Sequence, residues 1–211
     1  MVSKLSISSI ASGAIAMMGP LEWKAYLQEC SRQIIDVGED SGPILPEAAI
    51  RSGWLGYAPA SSSAIRQAEK RLGVRLPPSL RAFYSAPNGW RTVGCFIYAV
   101  PPVEKAVWIS EAEPSIYENA LSIEAEFDSD PRVEMREYAY EGGTQVKRSL
   151  AVSSWGEGST WLLDPGTVND KGDWAGGRHS SWNPGIEWIA DSFEGLFRDE
   201  YETYLRLEVN R

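Results

Sequence analysis

His179 is the only histidine in the 211-residue chain, so any Ser–His–Asp or Cys–His chemistry would have to pass through it. It stands in a Gly/Ser-rich stretch, GGRHSSW, and no G-x-S-x-G motif occurs anywhere. The local composition predicts an exposed loop histidine. Cys30 and Cys95 lack CxxC spacing, so a zinc site or redox pair is not indicated; two buried free thiols are expected, with a single disulfide as the alternative. Asn169, Asp170 and Asp173 have some texture of a calcium loop but not its spacing or its terminal Glu, so turn chemistry accounts for them better. No GxGxxG and no Walker lysine motif is present to cradle a phosphate. Neither a cofactor nor a metal is expected. Glu157 and Asp164, close to Trp155 and Trp161, supply the composition of a glycosidase site, two carboxylates beside aromatic platforms. With 29 acidic residues in the chain, such pairs also arise by chance. The expectation is that the protein is not an enzyme.

The elements that must position these residues divide into a helical first half and a strand-rich second half. From Trp54 to Trp90 the pattern is helical. Ile65, Ala68 and Leu72 fall on one stripe, Ser61 to Ser63 supply caps, and Gly73 ends the helix. Pro77-Pro78 opens a second helix with Leu80, Phe83 and Tyr84 on its apolar face, and Asn88-Gly89 makes a turn. Upstream, Pro20 opens a helix carrying Leu21, Ala25, Leu27, Ile34 and Ile35 and ending near Gly38. Downstream, strands are expected at Cys95–Val100, Ala106–Ile109, Arg132–Tyr140, Leu150–Trp155 and Thr160–Leu163, the last two joined by the Gly-Glu-Gly turn at 156–158. A short strand is expected around Trp174, and residues 111–131 are left unassigned. Asp191 as N-cap with Glu194 three residues on has the capping-box pattern. It opens a last helix whose stripe is Phe193, Leu196, Phe197, Tyr201, Tyr204 and Leu205. The fold class is therefore α+β: one domain, N-terminal helices packed on a mainly antiparallel sheet, and a C-terminal docking helix. Residues 1–50 read as an extension with one helix and 51–211 as the domain.

Composition narrows the function. A net charge of -9 argues against direct nucleic-acid binding, which needs a positive face, but it suits a basic protein partner. Nine tryptophans, five of them from Trp155 to Trp188, serve either core packing or a sugar- or protein-contacting surface. No run reaches the ~20 apolar residues that span a membrane. The segment LSISSIASGAIAMMGP has the small residues of a secretory leader, but its serines interrupt the apolar run, and a cytoplasmic location is expected.

The chain resembles the SUKH superfamily, which includes the domain of the yeast cell-wall assembly regulator and a bacterial immunity branch. The resemblance rests on WLG at 54–56, Pro59-Ala60-Ser61, Ile65 with Glu69, Leu72-Gly73, LPPSLRAFY at 76–84 and Asn88-Gly89-Trp90. It continues through Pro101-Pro102-Val103-Glu104, Leu163-Asp164-Pro165 and Ala190-Asp191-Ser192-Phe193. Gly156-Glu157-Gly158 departs from the Gly-Asp-Gly-like turn of many members, and the first ~50 residues have no counterpart in the core pattern. The resemblance implies an immunity protein that binds a cognate bacterial toxin domain, often a nuclease, and neutralises it stoichiometrically. It also leaves a regulatory adaptor or scaffold of the cell-wall regulator type. A carbohydrate-active enzyme using Trp and carboxylates is a third reading. No catalytic residues carry over from the family. The interface is expected on loops that combine acid and aromatic: Glu157, Asp164, Asp170, Asp173 and Trp174. Glu111, Glu113, Glu124, Glu126, Asp128 and Asp130 form a second acidic patch. The oligomeric state is not indicated by the sequence.

Overall fold

The structure is a computed structural model and describes residues 17–37, 45–94, 96–128 and 143–209. Among the described residues four helices come first: α1 Pro20–Val37, α2 Glu47–Ser52, α3 Ser62–Leu72 and α4 Pro78–Ser85. They are followed by β1 Val107–Trp108, α5 Ile109–Ala112, α6 Pro114–Asp128 and the single turn α7 Gln145–Lys147. Then come β2 Leu150–Ala151, β3 Ser159–Val168, β4 Trp174–Ser180, β5 Asn183–Ala190 and α8 Phe193–Tyr204. The five strands among the described residues lie in sequence order and every neighbouring pair is antiparallel. The fold is the expected α+β domain.

Strand periodicity explains why helices cover both faces of the sheet. Successive side chains of β3 point to opposite sides. Trp161 and Leu163 enter the larger core with Phe83, Phe193 and Phe197, while Leu162 enters a smaller one with Ile109, Ala120, Val146 and Ile186. The larger core is built around aromatic rings. Phe83 of α4 lies 5.0 Å from Phe193 of α8, and Trp23 of α1 lies 5.2 Å from Phe83 and 5.5 Å from Phe197. The helix before residue 51 thus shares one core with the rest of the chain. Its buried face is Trp23, Leu27, Cys30, Ser31 and Ile34, and Leu21 stands exposed.

The predicted caps on α3 are present: the Ser61 hydroxyl accepts the Ala64 N–H, and Gly73 is left-handed at φ 71°. The cap on α8 is one residue later than the capping box predicts. Ser192 accepts the Gly195 N–H, and Glu194 instead accepts the Met18 N–H at 2.8 Å and pairs with Arg198. Cys95–Val100 is not a strand among its described residues. Its N–H groups go elsewhere: Phe96 to the Glu200 carboxylate, Ala99 to the Ser154 hydroxyl, and Val100 to the Trp90 carbonyl. An apolar run buried by such scattered bonds looks like a strand in sequence but forms no ladder. Leu150–Trp155 shrinks to the two residues of β2, and β3 runs on to Val168. The unassigned 111–131 region holds the whole of α6. The Arg132–Tyr140 expectation lies outside the described residues, as does Cys95.

Candidate partner-binding groove

Two turns and a helix converge at one end of the sheet. Glu157 (φ 45°) and Gly158 (φ 74°) are both left-handed, and Gly156 and Ser159 exchange backbone hydrogen bonds across them. Positive φ at both central positions gives the tight hairpin twist that suits paired strands. The Ser181 N–H then donates to the Gly158 carbonyl at 2.8 Å, which draws the β4–β5 turn alongside. A Cβ on Gly158 would come within 2.9 Å of the Trp182 ring, so the indole lies against this turn. Trp182 is 70% exposed, the most exposed aromatic among the described residues. The third piece is α6, which brings Ser115, Ile116 and Asn119 to the opposite wall.

Between these walls lies a cavity of about 360 Å³, floored by Trp155 and His179. The Trp155 ring meets His179 edge-to-face at 6.2 Å, and its indole Nε1 donates to the Glu113 carboxylate at 2.6 Å. On the outer side the Tyr98 hydroxyl donates to Glu157 at 2.5 Å. His179 is not the exposed loop residue the composition predicts. It sits on β4, 4% exposed, with Nδ1 2.9 Å from the Gly185 carbonyl. Burial pushes its pKa below the ordinary imidazole value, partly offset by that carbonyl, so the ring is neutral at neutral pH. The groove is therefore aromatic and polar inside, with carboxylates at its margins.

Of the five residues expected at an interface, two face solvent. Glu157 is exposed on its turn, and Asp170 is exposed in the turn that follows β3. Asp164, Asp173 and Trp174 correct the expectation of an exposed segment: their exposures are 0%, 2% and 5%. Asp164 receives a two-pronged contact from Arg148, Nε to Oδ1 at 2.5 Å and Nη2 to Oδ2 at 2.6 Å. It also accepts the Gly166 N–H and the Thr167 hydroxyl, and so folds the bulge where the β3–β4 register shifts between Asp164 and Val168. Burial alone would raise its pKa, but Arg148, Thr167 and Gly166 together hold it below the usual carboxylate range. Asp173 accepts both the N–H and the hydroxyl of Ser79 at 2.8 Å, closing the first turn of α4 from across the chain. Burial raises its pKa against the pull of those two bonds. Trp174 belongs to the large core. Among the described residues, no group of three or more His, Cys, Asp or Glu side chains is placed to hold a metal ion.

The two acidic patches that look separate in sequence meet at Trp155. Glu113 comes from the second patch and Glu157 from the first, and the 153–158 connection joins them. The sequence singles out Trp155 only as an aromatic platform beside Glu157, and it singles out neither Trp182 nor Asn119. The signal available for Trp182 was its place in Ser-Ser-Trp-Asn-Pro, a turn composition around a large aromatic.

The family model for SMI1 / KNR4 (SUKH-1) matches residues 59–199, which span α3 through most of α8 and include every turn of the groove. The chain belongs to the SMI1 / KNR4 family. No curated protein matches it. Within this family chain, α1 lies before the matched region yet supplies Trp23 to the same aromatic core. Among the described residues, no helix is long and apolar enough to cross a membrane.

Proposed function

We propose that this SUKH-family protein is an immunity protein: it binds a cognate bacterial toxin domain one-to-one and blocks it without catalysis of its own. The observation that carries the reading is an exposed Trp182 beside the acidic Glu157 turn on a SUKH-1 domain. Large aromatics exposed on a rigid turn are the residues that carry most binding energy at protein interfaces. A net charge of -9 adds long-range attraction for a basic partner, and a nuclease must present Lys and Arg to phosphates. An acidic inhibitor exploits that same field. The cytoplasm is the proposed location, where such a toxin would act.

Co-expression with the toxin encoded beside this gene tests the proposal. Growth is expected to be restored and the two chains to co-purify. Growth arrest with no complex would remove the immunity reading. A complex without protection would instead favour the adaptor or scaffold role.

A further inference from the structure

Among the described residues, the chain stacks its own arginines on aromatic rings three times. Arg91 lies over Tyr57 at 4.0 Å, Arg198 over Tyr26 at 4.6 Å and Arg178 over Phe96 at 5.3 Å. Among the described residues, no arginine or lysine of the chain stacks in this way on Trp182 or Trp155. These two indoles are left to a 360 Å³ cavity whose described lining contains no lysine or arginine. Its single titratable lining group, His179, is kept neutral by burial. Glu157 adjoins Gly158 against the Trp182 ring, and Glu113 holds the Trp155 nitrogen. Indole faces attract cations, and Trp does so most strongly among the aromatic side chains. Carboxylates at the margin raise the local concentration of positive charge.

We infer that this groove receives an arginine or lysine side chain from a basic segment of the partner, stacked on Trp182 with Glu157 and Glu113 flanking its head group. The inference rests on the reading of the protein as a binder of a basic partner and names the surface and the chemistry of contact. The cation enters beside the β4–β5 turn, its alkyl stem covers Ile116, and its head group lies toward the carboxylates. An arginine fits best, because a planar guanidinium stacks and pairs with a carboxylate at once.

The test titrates the full-length protein with the pentapeptide Arg-Gly-Arg-Gly-Arg and follows the tryptophan indole N–H resonances by NMR. The Glu-for-Arg pentapeptide and a chitin oligosaccharide serve as comparisons. Saturable shifts confined to Trp155 and Trp182 are expected with the arginine peptide alone. Trp182→Ala and Glu157→Gln should each weaken that binding by about tenfold or more. Both positions are exposed, and the remaining indole resonances report whether each variant is folded. The inference is overturned if the arginine peptide leaves Trp155 and Trp182 unmoved, if the glutamate peptide or the oligosaccharide moves them as much, or if Trp182→Ala binds as tightly. Arginine binding without protection from the toxin would remove the immunity reading and keep the groove. Full protection by both variants would remove the groove and keep the immunity reading.

Discussion

The indole nitrogen of Trp155 donates to the carboxylate of Glu113 at 2.6 Å, across 42 residues of sequence. This bond ties the connection between β2 and β3 to the junction of α5 and α6, and so fixes both walls of the groove. Glu113→Ala leaves the indole N–H without that acceptor. It should lower stability by about 1 kcal/mol and move the Trp155 N–H resonance. Thermal unfolding and NMR check the two effects separately. An unchanged Trp155 resonance would show that the bond is not kept in solution.

Arg148 and Asp164 form a pair in which the carboxylate is fully buried and the guanidinium about one-third exposed. Arg148→Ala strands a buried charge and should cost about 3 kcal/mol. The pH dependence has a defined sign. The folded-state pKa of Asp164 is depressed, so its contribution is present above the ordinary carboxylate value of about 3.9 and is lost as pH falls through the folded value. Denaturant unfolding from pH 7 to pH 2 should therefore show a shallower acid loss in Asp164→Asn than in the parent. Equal acid slopes would contradict the assignment.

Trp23 is fully buried and meets Phe83, Phe193 and Phe197. Trp23→Ala should destabilise by about 3–5 kcal/mol, although the residue precedes the region matched to the family. Phe83→Asp and Leu72→Asp place a charge in the same core and should leave no folded protein. Circular dichroism during urea unfolding decides these outcomes. A soluble, cooperative Phe83→Asp variant would mean that the core has been placed wrongly.

Gly156 is needed for close approach of two backbones. A Cβ there would lie 2.6 Å from the Phe96 carbonyl and 2.9 Å from the Tyr98 nitrogen. Gly156→Ala should cost roughly 1–3 kcal/mol and displace the Glu157 turn, because backbone cannot step aside as a side-chain tip can. The Tyr98–Glu157 hydrogen bond is the local reporter.

Cys30 is fully buried, and burial pushes its thiol up to about 12. Iodoacetamide at pH 8 should leave Cys30 unmodified in native protein and alkylate it after unfolding, as peptide mass spectrometry would show. Rapid native labelling would place α1 outside the core.

These outcomes follow legibility in the sequence. The stretch from Ser61 to Tyr84 was readable because each local signal agrees with the packing. Ser61 caps, Ile65, Ala68 and Leu72 share a face, and Gly73 takes the left-handed turn. Cys95–Val100 misleads because its hydrogen bonds go to Glu200, Ser154 and Trp90, partners that are distant in the chain or invisible to periodicity. Most of β4 was hidden because Gly176-Gly177 carries no strand propensity. A Cβ on Gly177 would meet the Glu187 carbonyl at 2.5 Å, so packing, not propensity, selects glycine there.

At the groove the acidic loops were readable as a region but not residue by residue. Asp164, Asp173 and Glu157 look alike in a turn-rich sequence. Only tertiary contacts separate the first two, which bind Arg148 and Ser79, from the third, which faces solvent. Among the five tryptophans of the second half, Trp161 and Trp174 enter the core and Trp182 does not. The turn residues around Trp182 in Ser-Ser-Trp-Asn-Pro are the one local sign of that difference.

Stoichiometric neutralisation has a sharp signature in the end point of an inhibition titration. The toxin domain proposed as its partner is purified and assayed while this protein is added in steps. Activity should fall linearly and reach zero at one equivalent, with an association rate that drops as salt rises. Full activity at a large excess would contradict the account, and so would complete loss at a small fraction of an equivalent, the mark of a catalyst rather than a binding partner.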